Sequence, residues 1–205
     1  MTKGSLAISS YIQIKDNQIK LNGENLFSQD GPFSEFIKLG YKQCGVAYPK
    51  FFKMDDLSKL ALVAADILLK HEGVQPKNEE NIALIFSNKA SSLNTDRSHQ
   101  ESIQNKDNYY PSPAVFVYTL PNICLGEISI KYKLYSENSF FIFDNFNAEH
   151  LYHYSQSLIQ SKQAEKVLCG WVDVDNDTYE AFLYLVSKNG SYEHTINEIN
   201  KLYKK

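Results

Sequence analysis

Short apolar segments without alternation, set between helical segments, constrain the fold of this chain most strongly. Residues 82–86 read IALIF between two polar stretches, and residues 139–143 read SFFIF. A strand with no polar alternation is buried on both faces of its sheet. Such a sheet needs helices on both sides, and helical periodicity is present before and after these runs. The sequence therefore predicts an α/β layer fold.

The remaining elements follow from periodicity and turn residues. The clearest helix covers residues 54–71, where Leu57, Leu60, Ala64, Ile67 and Leu68 recur at helical spacing. Asp175, Asn176 and Asp177 indicate a tight turn, so the strands on either side are expected to pair antiparallel. Predicted strands cover residues 6–14, 82–86, 139–143, 166–174 and 179–186, which is one mixed five-stranded sheet. Predicted helices cover residues 33–39, 54–71, 95–104, 147–161 and 193–203, with an apolar, bent segment at 115–134.

Length and charge exclude several functional classes. At roughly 150 residues per domain, 205 residues predict one domain spanning 1–205. The net charge is −3 and Arg97 is the only arginine, so the chain lacks the basic face that nucleic acids or anionic membranes require. The first ten residues contain no apolar run of signal-peptide length. The longest apolar stretch, residues 60–69, is interrupted by Asp66 and is too short for a bilayer. We expect a cytoplasmic protein.

Cysteine and histidine usage predicts neither a disulfide nor a bound metal or other cofactor. The three cysteines, Cys44, Cys124 and Cys169, are far apart in apolar or mixed segments, which is typical of buried thiols. His150 and His153 share a helical face but lack a third ligand, so a solvated face is the simpler interpretation.

Several segments, in order, resemble the N-terminal half of the β-ketoacyl synthases, which have the thiolase fold. Residues 49–57 (PKFFKMDDL) precede a long apolar helix, and residues 119–122 (TLPN) precede a helix with Gly126 and Ser129. Residues 138–143, a helix ending at Ser161 and the segment 164–170 complete the series, which covers roughly residues 45–187. The resemblance implies half of a thiolase-like fold.

The resemblance also implies that the chain is not an enzyme by itself. The family's nucleophile is a cysteine on the turn between a strand and its helix, and a gapless placement from Asn122 puts Asn145 there. An asparagine amide has no proton to lose near neutral pH and cannot carry an acyl group. The family's catalytic histidines belong to its second half, before which this chain would end. Asn145 is thus expected to mark a pseudo-active site.

Chain-length factors are a subclass that fits this state, because they resemble ketosynthases, lack the cysteine and pair with an active ketosynthase. Similar half-length proteins look like partners in aryl polyene and flexirubin pigment pathways. The resemblance implies a complete β-ketoacyl synthase as partner, with an acyl carrier protein contacted indirectly; pairing with itself is the alternative. It places the dimer and acyl-tunnel contacts at Ala114, Val115, Phe116, Asn122, Phe141 and Phe143.

Two further functions stay open at this point. One is an acyl-transferring condensing enzyme with an unusual nucleophile such as Cys169, and the other is a homodimeric scaffold. A helical wheel, which does not use the resemblance, places one apolar and one polar face on residues 148–160. The polar face carries Glu149, His150, His153, Gln156 and Gln160. We therefore expect this helix to cover only one sheet.

Overall fold

A single mixed sheet organises the chain in the computed structural model, which describes residues 6–205. Within that range the sheet has eight strands in the order β3-β2-β1-β7-β6-β4-β5, with β8 also pairing with β1. The strands are β1 (Ala7–Lys15), β2 (Gln18–Leu21), β3 (Glu24–Ser28), β4 (Ile82–Asn88), β5 (Asn138–Ile142), β6 (Lys166–Asp175), β7 (Thr178–Ser187) and β8 (Tyr192–Glu193). The helices are α1 (Phe33–Gln43), α2 (Asp56–His71), α3 (Leu93–Ile103), α4 (Pro113–Val117), α5 (Ile123–Tyr132), α6 (Ala148–Gln160) and α7 (Ile196–Tyr203).

The α/β class and the mixed sheet are confirmed, but the predicted number of five strands is wrong. The polar segment after β1 forms the β2–β3 hairpin instead of a loop, and β8 adds a short strand. Asp16, Asn17, Asn22 and Gly23 occupy the two tight turns with φ between 49° and 86°. Asp, Asn and Gly tolerate this left-handed region best, so two-residue hairpin turns favour them. The polar side chains belong to strands at an exposed edge.

Strand direction divides the sheet into two parts. β4 pairs parallel with both β5 and β6, so the carboxyl ends of these three strands meet at one edge. β7 runs antiparallel to β6 and to β1, and joins the parallel part to the N-terminal hairpins. The predicted turn at Asn176 and Asp177 connects β6 to β7, and the expected antiparallel pair is confirmed.

Helices cover both faces of the sheet. One core lies under α1, α2 and α5, and the other lies under α6 and α7. The α2 helix begins at Asp56, two residues after the predicted start, and the Asp55 side chain caps it by accepting a hydrogen bond from the Ser58 amide at 2.9 Å. Capping by aspartate satisfies an amide that has no partner within the helix. Most of α2 is buried, as its continuous apolar sequence requires.

A buried charge cluster joins α2 to α5. Asp66 is fully buried and lies against Lys131, Lys70 and Tyr132, whose hydroxyl donates to the Asp66 carboxylate at 2.6 Å. Burial lowers the pKa of Lys131. Because an unpaired buried charge is costly, this contact fixes the position of α5 against α2.

None of the helices within residues 6–205 combines the length and apolar character needed to cross a bilayer. The expectation about the first ten residues lies partly outside the described residues, since the structure describes the chain from Leu6 onwards.

Candidate functional site

A polar cleft lies where the parallel strands end. Two adjoining cavities of about 500 and 330 Å³ share Asp144, Asn145, Phe146 and Asn200. The second also reaches Lys89, which directly follows β4. In α/β sheets, ligands are bound at the carboxyl ends of parallel strands. This cleft is therefore the candidate functional site of the described residues.

The loop between β5 and α6 forms the floor of the cleft. Asn145 is exposed and lies two residues before Asn147, which is the N-cap of α6. The Asn147 side chain accepts a hydrogen bond from the His150 amide at 2.9 Å. The loop reads FDNFN from residue 143 to residue 147, without a thiol or a hydroxyl. Whichever of these residues aligns with the family's cysteine, none carries a thiol or hydroxyl that could hold an acyl group as a thioester or ester at the N-terminus of α6.

The C-terminal helix supplies one wall of the cleft. The Tyr203 ring stacks on Phe146 with 4.2 Å between ring centroids, and its hydroxyl donates to Glu180 at 2.8 Å. Burial is the largest cause of the raised pKa of Tyr203, and the hydrogen bond to Glu180 is the next largest. The Gln13 amide donates to the carbonyl oxygens of Leu202 and Tyr203 at 3.0 and 3.1 Å, which holds the end of α7 on β1. Sequence periodicity identified this helix but not its position beside Asn145.

The thiols lie away from the cleft. Cys169 is fully buried in β6, where burial raises its pKa to about 12. Cys124 is likewise buried in α5, and burial raises its pKa as well. A reactive cysteine needs access and a lowered pKa. Neither thiol has these properties, so the expectation of buried cysteines is confirmed for Cys124 and Cys169, but it is wrong for Cys44, which is only partly buried.

β5 is an edge strand of the sheet, with β4 on one side only. Phe141 and Phe143 point to the α6 side, where their rings stack with 6.0 Å between centroids. The His150 ring centroid lies 4.4 Å from that of Phe141 and 5.0 Å from that of Phe143. Phe140 packs into the opposite core, and Ile142 is 50% exposed. Ile142, the exposed apolar residue of this edge, was not among the contact residues expected from the sequence.

The position predicted for His150 on the solvated face of α6 is wrong. Its ring lies among Phe141, Phe143 and Tyr154, and its Nε2 is buried without a hydrogen-bond partner among the described residues. Burial lowers the pKa of His150. The helical wheel placed the residue correctly relative to its helix, but the edge strand extends under that side. Glu149, His153 and Gln160 are exposed as expected.

The other predicted contact residues lie on α4 and at the start of α5. Ala114 and Val115 line a separate cavity of about 240 Å³ with Met54, Thr95 and Tyr118. Phe116 is 58% exposed, and Asn122 is exposed at the N-cap of α5. The structure therefore brings Phe141 and Phe143 together, whereas Ala114 and Val115 line a different cavity from Asn145.

A buried carboxylate ties α4 to α5. Glu127 accepts hydrogen bonds from the hydroxyls of Tyr118 and Tyr48, at 3.2 and 2.8 Å, and from Lys50 at 3.0 Å. Burial and the negative charge of Glu127 raise the pKa of Tyr118 to about 12, which keeps it a hydrogen-bond donor at neutral pH. This network fixes α4 at the surface.

Exposed apolar side chains are concentrated in one segment of the described chain. Eight of the twelve large exposed apolar residues fall between residues 109 and 142. They are Tyr109, Tyr110, Phe116, Val117, Leu120, Ile130, Tyr135 and Ile142. Single exposed apolar residues are ordinary, whereas such a concentration within one segment favours an interaction surface formed by that segment.

Comparison with known proteins identifies the fold. No family model and no curated protein matches the sequence. Among solved structures, the chain is similar to the ishigamide ketosynthase/chain length factor, with a TM-score of 0.65 and 17% identity over 90% of this chain. The match covers 62% of that structure's chain, so the present chain spans less than two thirds of its length.

Two further structures give the same result. One is a ketosynthase in complex with its chain length factor from Xenorhabdus doucetiae, with a TM-score of 0.59 and 11% identity over 98% of this chain and 90% of that chain. The other is the AntDE ketosynthase with its acyl-carrier protein AntF, with a TM-score of 0.59 and 12% identity over 90% of this chain and 62% of that chain. The half ketosynthase fold expected from the sequence is therefore confirmed.

Proposed function

We propose that this chain is a non-catalytic subunit, similar to a chain-length factor, that pairs with an active β-ketoacyl synthase. The complex would extend acyl chains carried by an acyl carrier protein, in a polyketide or fatty-acid-type pathway such as that of an aryl polyene or flexirubin pigment. The observation that carries this proposal is the loop from residue 143 to residue 147, which has neither a thiol nor a hydroxyl to carry an acyl group at the N-terminus of α6.

Condensation through a thioester needs a residue that accepts the acyl group and then releases it. The amides of Asn145 and Asn147 can only donate or accept hydrogen bonds, and Asn147 already caps α6. The buried thiol of Cys169, with its raised pKa, is a poor substitute. The chemistry of the complex is therefore assigned to the partner subunit.

The uncovered edge of the sheet at β5 supports the proposal that the chain has a stable protein partner. An uncovered strand with phenylalanine and isoleucine side chains is prone to non-specific pairing, and native proteins cover or block such edges. The half-exposed Ile142 and the exposed Phe116 are suited to a protein contact. In the Xenorhabdus doucetiae complex, the matched chain has a similar extent to this one, since most of both chains is aligned.

Co-expression with a ketosynthase tests the pairing. We expect the two chains to elute together in size-exclusion chromatography, and Ile142→Lys to abolish co-elution because it puts a charge at the centre of the contact. Leu26→Lys is the matched control, since Leu26 is 47% exposed on β3 at the other edge of the sheet. A ketosynthase that is soluble and fully active alone, with no affinity for this chain, would contradict the proposal.

Acyl transfer is tested separately by incubating the co-purified complex with acyl-carrier thioesters and mapping the peptides by mass spectrometry. An adduct is expected on the partner's cysteine alone. An adduct on Cys169, or on any other cysteine or serine of this chain, would favour the condensing-enzyme alternative. A stable dimer of this chain that does not bind ketosynthases would favour the scaffold alternative.

A further inference from the structure

Trp171, the only tryptophan of the chain, lines the polar cleft beside Asn145. Its side chain is 5% exposed, and Phe146 packs against it edge to face with 6.3 Å between ring centroids. The indole N–H has no acceptor among the described residues, and its nitrogen is not one of their fully buried polar atoms. The accessible part of this side chain therefore includes the N–H, which opens into the cavity that Trp171 lines. Because an indole nitrogen can only donate, the cleft holds a fixed donor without an acceptor.

Two ammonium groups at the same cavity also lack a partner. Lys89 and Lys204 line the cavity and are exposed. Within residues 6–205, neither of them forms an ion pair with an acidic side chain. The exposed amide of Asn145 can donate in the same space. Unpaired hydrogen-bond donors are therefore concentrated around the Trp171 indole.

Most of the carboxylates that line this cavity already have partners. Asp173 Oδ1 accepts hydrogen bonds from the backbone amides of residues 89–90, at 3.0 and 2.9 Å. Glu180 accepts one from the Tyr203 hydroxyl at 2.8 Å. Asp144 is exposed, so solvent and salt screen its charge. Since these acidic groups are engaged or screened, the groups that remain free in the cavity are mainly donors.

We infer that the cleft binds a small molecule with a carboxylate group, which accepts a hydrogen bond from the Trp171 indole N–H and is neutralised by Lys89 and Lys204. A hydrogen bond from an N–H to an ionised carboxylate is roughly twice as strong as one between neutral groups. The stacked rings of Phe146 and Tyr203 form an apolar wall beside these donors, which suits a ligand with an aromatic or aliphatic body. Sites for small molecules combine such walls with a few placed polar groups. The site belongs to this chain alone and does not depend on the function proposed above.

The single tryptophan makes the inference directly measurable by NMR. The ¹⁵N-labelled chain has one indole N–H cross-peak, which moves when the N–H forms a new hydrogen bond. We expect a saturable shift with benzoate or hexanoate as the probe. Benzylamine, which combines the ring of benzoate with the opposite charge, should cause no saturable shift. The absence of a saturable shift with both carboxylates, or an equal shift with benzylamine, would overturn the inference.

Removing the two positive charges tests their assigned role. Lys89→Gln/Lys204→Gln changes exposed side chains and should raise the dissociation constant of the carboxylate probe at least about fivefold. Lys38→Gln/Lys42→Gln is the matched control, because these exposed lysines lie on α1, which covers the other face of the sheet. The control should bind like the wild type. Equal affinity of the Lys89→Gln/Lys204→Gln variant and the wild type would overturn the inference.

Trp171→Phe removes the N–H and keeps an aromatic ring. Isothermal titration should show binding of the same probe weakened at least about tenfold, because a hydrogen bond to a charged group is lost. Unchanged affinity in a folded Trp171→Phe variant would overturn the inference. All three measurements use the chain without a ketosynthase, so a failure to co-purify with one bears on the proposed function alone.

Discussion

His194 Nε2 lies 3.3 Å from the Ser155 hydroxyl oxygen, and both side chains are buried. The Ser155 hydroxyl donates to the Leu151 carbonyl at 2.7 Å, so its oxygen is left to accept from the imidazole. The ring lies against Tyr152 with 4.9 Å between centroids. Burial lowers the pKa of His194 from 6.5 to about 4, so the folded protein holds this histidine neutral.

The lowered pKa of His194 predicts that the folded chain becomes less stable towards unfolding on mild acidification. Below pH 6.5 the unfolded chain binds a proton at His194, whereas the folded chain does so only near pH 4. The free energy of unfolding should therefore fall by about 1.4 kcal/mol per pH unit in this window. Urea titrations at pH 7 and pH 5 should show a smaller decrease for His194→Asn than for the wild type. His153→Asn, at an exposed position, should retain the full decrease; an unchanged slope in His194→Asn would contradict the prediction.

Asp66→Asn should be strongly destabilising. The substitution leaves the ammonium group of Lys131, whose side chain is only 6% exposed, without a compensating charge. Breaking a buried pair in this way costs about 3–5 kcal/mol. Chemical denaturation measures the change, and Glu198→Gln is the control because Glu198 pairs with Lys201, which is 63% exposed. The control should cost at most about 1 kcal/mol. Similar losses in the two variants would show that Asp66 and Lys131 are not a buried pair.

Two glycine-to-alanine substitutions should change stability in opposite directions. At Gly170 in β6, a methyl group would lie 2.1 Å from the Phe182 carbonyl oxygen, so neighbouring backbone must shift. Such overpacking costs about 1–3 kcal/mol or more. At Gly126 in α5 the methyl group meets nothing within 4 Å, and alanine should stabilise the helix by about 0.5–1 kcal/mol. Thermal unfolding of the isolated chain compares both; a neutral Gly170→Ala would rule out the close packing of β6 on β7.

Thiol labelling should distinguish Cys44 from the other two cysteines. Cys44 is partly exposed beyond the end of α1, whereas Cys124 and Cys169 are fully buried. The native chain should therefore release one equivalent of thionitrobenzoate at pH 8, slowly because burial raises the pKa of Cys44, and three equivalents after unfolding. Cys44→Ser should remove the native signal. Rapid labelling of Cys169 in the folded chain would revive it as a candidate nucleophile.

Local patterns predicted the elements whose signal is contained in a few neighbouring residues. The apolar run at β4, the periodicity of α2 and the turn before β7 all came from such signals. The hairpin of β2 and β3 also has a local turn signal, the Asn22-Gly23 pair. The polar composition of the segment nevertheless favoured its interpretation as a loop. Polarity is a poor guide for a strand at the exposed edge of a sheet, because only one of its faces has to be apolar.

Long-range packing accounts for what the sequence did not reveal. The wall that Tyr203 forms beside Phe146 joins residues far apart in the chain, and no local pattern specifies that contact. His150 shows the same limit, since its burial depends on where Phe141 lies rather than on the helix itself. The candidate cleft was anticipated only at the β5–α6 loop, whereas the contribution of α7 required the three-dimensional arrangement.

The place of β7 between β1 and β6 has a consequence for biosynthesis on the ribosome. The N-terminal hairpins emerge first, but β1 can pair with β7 only after Thr178–Ser187 has been translated. Until then the nascent chain holds two separate sheet fragments, and pairings between distant segments are slow to form. A transcript truncated between β6 and β7 would therefore yield two disconnected sheet fragments rather than a slightly shortened protein.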